Sequence, residues 1–152
     1  MLVSELLSKA AVKDRLSDTL DTGYEDNELL AYLNDAINVI WNFLISSNYY
    51  ECIGDITFTV SSTELPSDWY KVTNQAPIII NGSTATVYGV LPLTVRYYKR
   101  APQLTALTDT MPFKNDAISN IAAQLLVVLA MTNHGYNMDT ERDIAQTTLS
   151  LM

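Results

Sequence analysis

The sequence predicts an α+β fold, an antiparallel helical bundle with a small antiparallel β lobe inserted between the second and third helices. Three observations predict it. The apolar period switches from helical to alternating near Asp55 and back near Asp116. Asn81-Gly82 sits between two short β-prone runs, a strong hairpin signal. The run from Ile118 to Leu129 is apolar on most of a helix surface, as a central core helix would be. In segments, 1–48 read as helical, 55–100 as the β insertion and 114–152 as helical, all in a single domain.

Val3, Leu6, Leu7, Ala10, Ala11 and Leu16 give a helical stripe over residues 3–18, broken at Thr22-Gly23. The second helix starts at Asp26, a good N-cap, with Glu28 in the first turn where the dipole favours an acid. Leu29, Leu30, Leu33, Ala36, Ile37, Ile40, Trp41 and Leu44 follow at three- and four-residue spacing, and Ser46-Ser47-Asn48 ends it. Ile56, Phe58 and Val60 alternate with threonines, the mark of a half-buried strand. Pro77–Ile80 and Thr84–Tyr88 flank Asn81-Gly82, which suits a type I′ turn. In the last strand Leu93, Val95 and Tyr97 face inward, so Arg96 and Tyr98 face outward. Asn115 or Asp116 caps a third helix that runs to about Asn133. Asp139 caps a short last helix whose apolar residues are Ile144, Leu149 and Leu151. Ile37, Ile40, Trp41, Leu44, Leu125 and Leu129 are expected to share one core.

The chain has 152 residues, enough for one ordinary core. Hydrophobic residues make up 48% and charged residues 17%, so the chain folds and carries little surface charge. Net charge is -8 and the pI about 4.4. Nucleic-acid binders usually show a basic footprint, so tight DNA binding is disfavoured. Residues 1–50 hold eight acids against three bases, a mild polarisation of the charge. The lone Cys52 forms no intrachain disulfide, which fits a reducing compartment. The N-terminus lacks a secretory pattern, and the most apolar stretch, 121–131, is too short to span a membrane. Asn81-Gly82-Ser83 reads as a turn rather than a glycosylation site.

No catalytic constellation emerges. His134 stands alone beside Gly135, where C-terminal capping accounts for it. Cys52 has no cationic neighbour in sequence to lower its pKa, so structural filling is the better reading. Asp14, Asp18 and Asp21, then Glu25, Asp26 and Glu28, then Asp139, Glu141 and Asp143, are explained as solvated faces and helix starts. No EF-hand, Walker or dinucleotide loop is present. The expectation is therefore a non-enzyme with no catalytic residue, metal or cofactor. The enrichment is in aromatics, nine tyrosines and two tryptophans, with doublets at Tyr49-Tyr50, Trp69-Tyr70 and Tyr97-Tyr98. Such residues favour protein interfaces and also sheet packing. The candidate interface residues are Tyr98, Arg96, Lys99, Arg100 and Trp69, with Tyr136, Ile144 and Leu149 in the C-terminal stretch.

Four segments together resemble the head-to-tail connector (adaptor) family of tailed bacteriophages. They are Glu28-Leu29-Leu30 with Leu33-Asn34-Asp35-Ala36; Glu64-Leu65-Pro66-Ser67-Asp68-Trp69; Leu93 through Pro102; and Asp109-Thr110-Met111-Pro112. The resemblance covers roughly residues 25–130. It implies a ring, usually of twelve subunits, docked under the portal and surrounding the DNA channel. The implied partners are the portal protein, neighbouring adaptor subunits and a downstream tail or nozzle protein. Genomic DNA would pass without sequence-specific binding, and no membrane is involved. The implied place is the virion neck, reached through the host cytoplasm during assembly. The alternatives are another neck protein, such as a stopper or tail-completion subunit, and an acidic DNA-mimicking inhibitor.

Overall fold

A computed structural model describes residues 1–8, 26–133 and 139–151. The elements in order are α1 (Val3–Ser8), α2 (Asp26–Ser46), a 3-10 turn (Tyr50–Cys52), β1 (Ile53–Phe58), β2 (Ser62–Glu64), β3 (Trp69–Val72), β4 (Ile78–Asn81), β5 (Thr84–Val87), β6 (Leu93–Lys99), α3 (Asp116–Asn133) and α4 (Asp139–Ser150). They divide into two compact units. One is Met1–Ile40 with Pro102–Met152, and the other is Trp41–Ala101.

In the first unit α3 is the central element. Asn115 caps it, its Oδ1 accepting the Ala117 N–H at 2.9 Å. Ile118, Ile121, Ala122, Leu125, Leu126 and Val128 are buried, leaving a narrow exposed strip at Asn120 and Gln124. α3 packs on α4 and on α1. Leu33, Ala36, Ile37 and Ile40 of α2 are fully buried in the same unit. The segment ahead of α3 is knitted to both. Asn34 donates its Nδ2 to the Leu104 carbonyl (2.9 Å) and accepts the Leu104 N–H (2.8 Å). The first residues lie along it, Val3 donating to the Asp109 carbonyl and Met111 to the Met1 carbonyl, both at 2.9 Å.

In the second unit six strands form two three-stranded antiparallel sheets, ordered β1-β6-β3 and β2-β5-β4. Phe58, Trp69, Val95 and Tyr97 from one, with Ala85 and Val87 from the other, make one core. The Trp69 and Tyr97 rings stack at 4.9 Å. The last turns of α2 also belong here, and the Trp41 Nε1–H donates to the Lys99 carbonyl at 2.8 Å. α2 stops in a Schellman motif. Asn48 takes the left-handed conformation (φ 55), its N–H donates to Ile45 (3.0 Å), and the Tyr49 N–H donates to Leu44 (2.9 Å).

Four expectations are corrected. The helices do not form a bundle: close pairings among the described residues are α3 with α4 and α3 with α1, and α2 pairs with no helix to a comparable extent. Nor are the strands a lobe inserted between intact helices; they form a unit that takes in the end of α2 itself, and they make two sheets rather than one. Of the six residues expected in one core, Ile37, Ile40, Trp41, Leu44 and Leu125 are buried and Leu129 is half-buried, and the sheet core of the second unit takes in none of them. The physical reason for the departure from a bundle with an inserted lobe is that the 21-residue α2 is long enough to run on from the first unit into the second. Finally, the hairpin turn is centred on Gly82-Ser83, because Asn81 still pairs with Thr84. Of the two turn residues only Gly82 has positive φ (63°), the signature of a II′ turn rather than I′. Val60 lies past the end of β1 and is exposed. The stripe expected over residues 3–18 is described only as far as Ser8; the rest, like His134, lies outside the described residues.

By length and composition one helix stretch, Asn27–Ser46, reaches what a membrane span requires, with mean hydropathy 1.2. This is a longer apolar stretch than the one singled out from the sequence. It carries exposed Asn27, Glu28, Asp35 and Asn42 opposite the buried Leu33, Ala36, Ile37 and Ile40. That two-faced pattern is the one an amphipathic core helix shows.

Candidate protein interface

The outer face of the β1-β6-β3 sheet is built by strand alternation. With Val95 and Tyr97 inward, β6 turns Thr94, Arg96 and Tyr98 out. Antiparallel register places Thr57, Asp55 and Ile53 of β1 opposite them. Thr57 and Thr94 share a hydroxyl hydrogen bond at 3.0 Å. Arg96 Nε donates to Asp55 Oδ1 at 3.2 Å, both side chains well exposed. On the other flank Lys71 pairs with Tyr98 in register. The Lys71 Nζ lies 5.5 Å from the Tyr70 ring and 5.7 Å from the Tyr98 ring, within cation–π range of both. Tyr98 donates its hydroxyl to Asn48 Oδ1, tying the sheet to the capped end of α2. An exposed Arg–Asp pair adds little stability, so this face offers charge and aromatic surface to a partner at little cost to the fold.

The residues nominated from sequence therefore separate. Arg96 and Tyr98 lie together on this face. Lys99 is half-buried, and its charge acts on Cys52. Arg100 turns back on its own unit, with Nε donating to the Trp69 carbonyl at 2.6 Å. Trp69 is placed in the core at 5% exposure, because the alternation that follows the Pro66–Trp69 turn sends its ring inward against Tyr97. In the first unit, Ile144 is exposed on α4 and Leu149 is buried on it. Tyr136 lies outside the described residues.

Several supporting residues were not legible beforehand. Asp68 accepts the Tyr97 hydroxyl at 2.9 Å, and burial together with that carboxylate pushes the phenol up to about 12. Gly54 lies opposite Tyr97, and a Cβ there would come within 2.8 Å of the ring. Thus Gly54 is required by the close approach of the tyrosine. Cys52 is fully buried; burial first, then Glu51, raises its thiol to about 12 against a smaller opposing effect of Lys99. Such a thiol is a poor nucleophile. Asp109 accepts from the Thr105 and Ala106 N–H groups, which holds its carboxyl below the usual range. Among the described residues no group of three or more His, Cys, Asp or Glu is placed to hold a metal.

Compared with known proteins, the chain matches no family model and no curated sequence.

Proposed function

We propose that the chain is a structural subunit of a phage neck, a ring component that docks under the portal and joins head to tail around the DNA channel. The observation that supports this reading most is where the four resembling segments fall. Asn34, in the first, clasps Leu104. The second forms the turn in which the Trp69 N–H meets the Pro66 carbonyl at 3.1 Å. The third is the central strand of the β1-β6-β3 sheet. The fourth receives the first residues of the chain at Asp109 and Met111. The resembling residues are thus architectural joints, which is what a resemblance in fold requires. The partner-facing surface would include Arg96, Tyr98 and Lys71. The test is to mix the purified protein with the portal ring encoded alongside it and image the product. Recruitment of a ring of subunits, usually twelve, is expected. Portal rings left bare, or binding of a single copy, would sink the reading.

A further inference from the structure

Asn81 is the one asparagine of the chain that a glycine follows. The fold sets the Asn81-Gly82 step at the tip of the β4-β5 hairpin. Asn81 forms the last pair of that ladder, with Thr84, and β4 is an edge strand paired on one side only. Asn81, Gly82 and Ser83 are all exposed. Among the described residues neither the Asn81 carboxamide nor the Gly82 N–H has a hydrogen-bond partner. A Cβ at Gly82 would meet nothing within 4 Å, so the approach to its nitrogen is open. The far half of the turn is anchored instead, the Leu65 N–H donating to the Ser83 carbonyl at 2.7 Å. Other asparagines are held. The Asn48 Oδ1 accepts the Tyr98 hydroxyl while the following N–H, of Tyr49, donates to Leu44. Asn34 clasps Leu104, and Asn115 caps α3.

We propose that Asn81 is a site of self-modification, where the Gly82 nitrogen closes on the side-chain carbonyl carbon and ammonia leaves. The nitrogen gives its proton to hydroxide and attacks Asn81 Cγ. A new C–N bond forms, the Cγ–Nδ2 bond breaks, and Nδ2 departs as ammonia with a proton from water. The product is a five-membered succinimide. Water then adds to either of its carbonyls. Opening between Cγ and the Gly82 nitrogen leaves aspartate in an ordinary backbone. Opening between the Asn81 carbonyl carbon and that nitrogen leaves isoaspartate, with the main chain routed through the side chain. Nothing is oxidised or reduced; water replaces ammonia. Ring closure needs Asn81 to leave its extended conformation, and the end of a ladder is where local opening takes the least free energy. No charged residue occurs between Lys71 and Arg96, so either product places the first charge on that stretch. It falls at the end of an edge strand, a place proteins commonly guard with charge. Isoaspartate also adds a methylene to the main chain at the Asn81–Thr84 pair. This inference does not rest on the neck reading.

The test incubates the purified full chain from neutral to mildly alkaline pH and follows it by peptide mapping, with fragment spectra placing any change at Asn81 or at Asn74. Asn74 is also exposed but is followed by Gln75. Asn81 should convert faster by about tenfold or more, because glycine sets no side chain beside the attacking nitrogen. Isoaspartate and aspartate should both appear, and the rate should rise with pH as the Gly82 nitrogen loses its proton. Converted protein should bind an anion exchanger more tightly. Asn81→Gln should stay unmodified over the same time, since its longer side chain closes a larger ring more slowly. A native chain left unconverted while the same chain in urea converts would overturn the inference, because the ladder would then hold the site shut. So would aspartate as the sole product, the mark of direct hydrolysis, or an Asn74 that keeps pace with Asn81.

Discussion

Tyr97 is kept a neutral phenol by burial and by the Asp68 carboxylate it donates to. Its folded value is raised from 10.0 to about 12. Between those values the unfolded chain loses the phenolic proton while the folded chain keeps it, so the stability this group contributes is present below about pH 10 and lost as pH rises toward about 12. Tyr97→Phe should be less stable than wild type at pH 8, and the gap should close as pH rises through that window. Urea midpoints at stepped pH check this, and a gap that stayed constant would count against it. The inward direction of Tyr97 was legible from alternation alone. Its partners were not. Asp68 and Trp69 precede it by 29 and 28 residues, and Gly54 sits on a different strand, so no periodicity connects them. The same limit explains Trp69, whose type fits a core or an interface equally well until its strand is placed.

Elements were legible where a single chain segment decides them. The spacing in α2, the capped start of α3 and the hairpin are all local signals, and each is present. The division into two sheets was not legible, because it depends on which distant strands pair: β1 with β6, and β2 with β5. Turn type failed for a similar reason. Asn81-Gly82 fits I′ locally, but the strand register carries Asn81 one step further and moves the turn to Gly82-Ser83. The Asn34 clasp is the clearest case of an element held by a non-local contact. It satisfies both backbone groups of Leu104, a buried residue 70 positions away. Asn34→Ala removes two hydrogen bonds and leaves that N–H and carbonyl without them, which should cost about 2 kcal/mol. Asn34→Asp should recover only part, since a carboxylate accepts the N–H but offers the carbonyl no donor. Chemical denaturation of the three proteins measures both steps.

For the molecule as a whole, the proposed neck role makes an electrostatic demand. DNA is a dense line of negative charge, and each basic contact adds salt-sensitive affinity. A conduit crossed by a genome should avoid such contacts. The expected lining is therefore acidic or neutral, drawn from the acid-rich first fifty residues, with Arg96, Lys99 and Arg100 directed to protein. Arg96 already faces Asp55, and Arg100 already donates within its own unit. A density map of the assembled neck decides the matter: a narrowest collar formed by Arg96, Lys99 and Arg100 would refute it. One feature of the fold bears on how such a protein can change over time. The division between the two units falls between Ile40 and Trp41, inside a continuous helix rather than in a linker. Severing the helix there would strip the first N–H groups of the new end of their partners. It would also take from the Trp41–Ala101 unit the chain that leads into it. Neither unit is therefore a cassette that recombination could lift out and graft elsewhere; the two are inherited together.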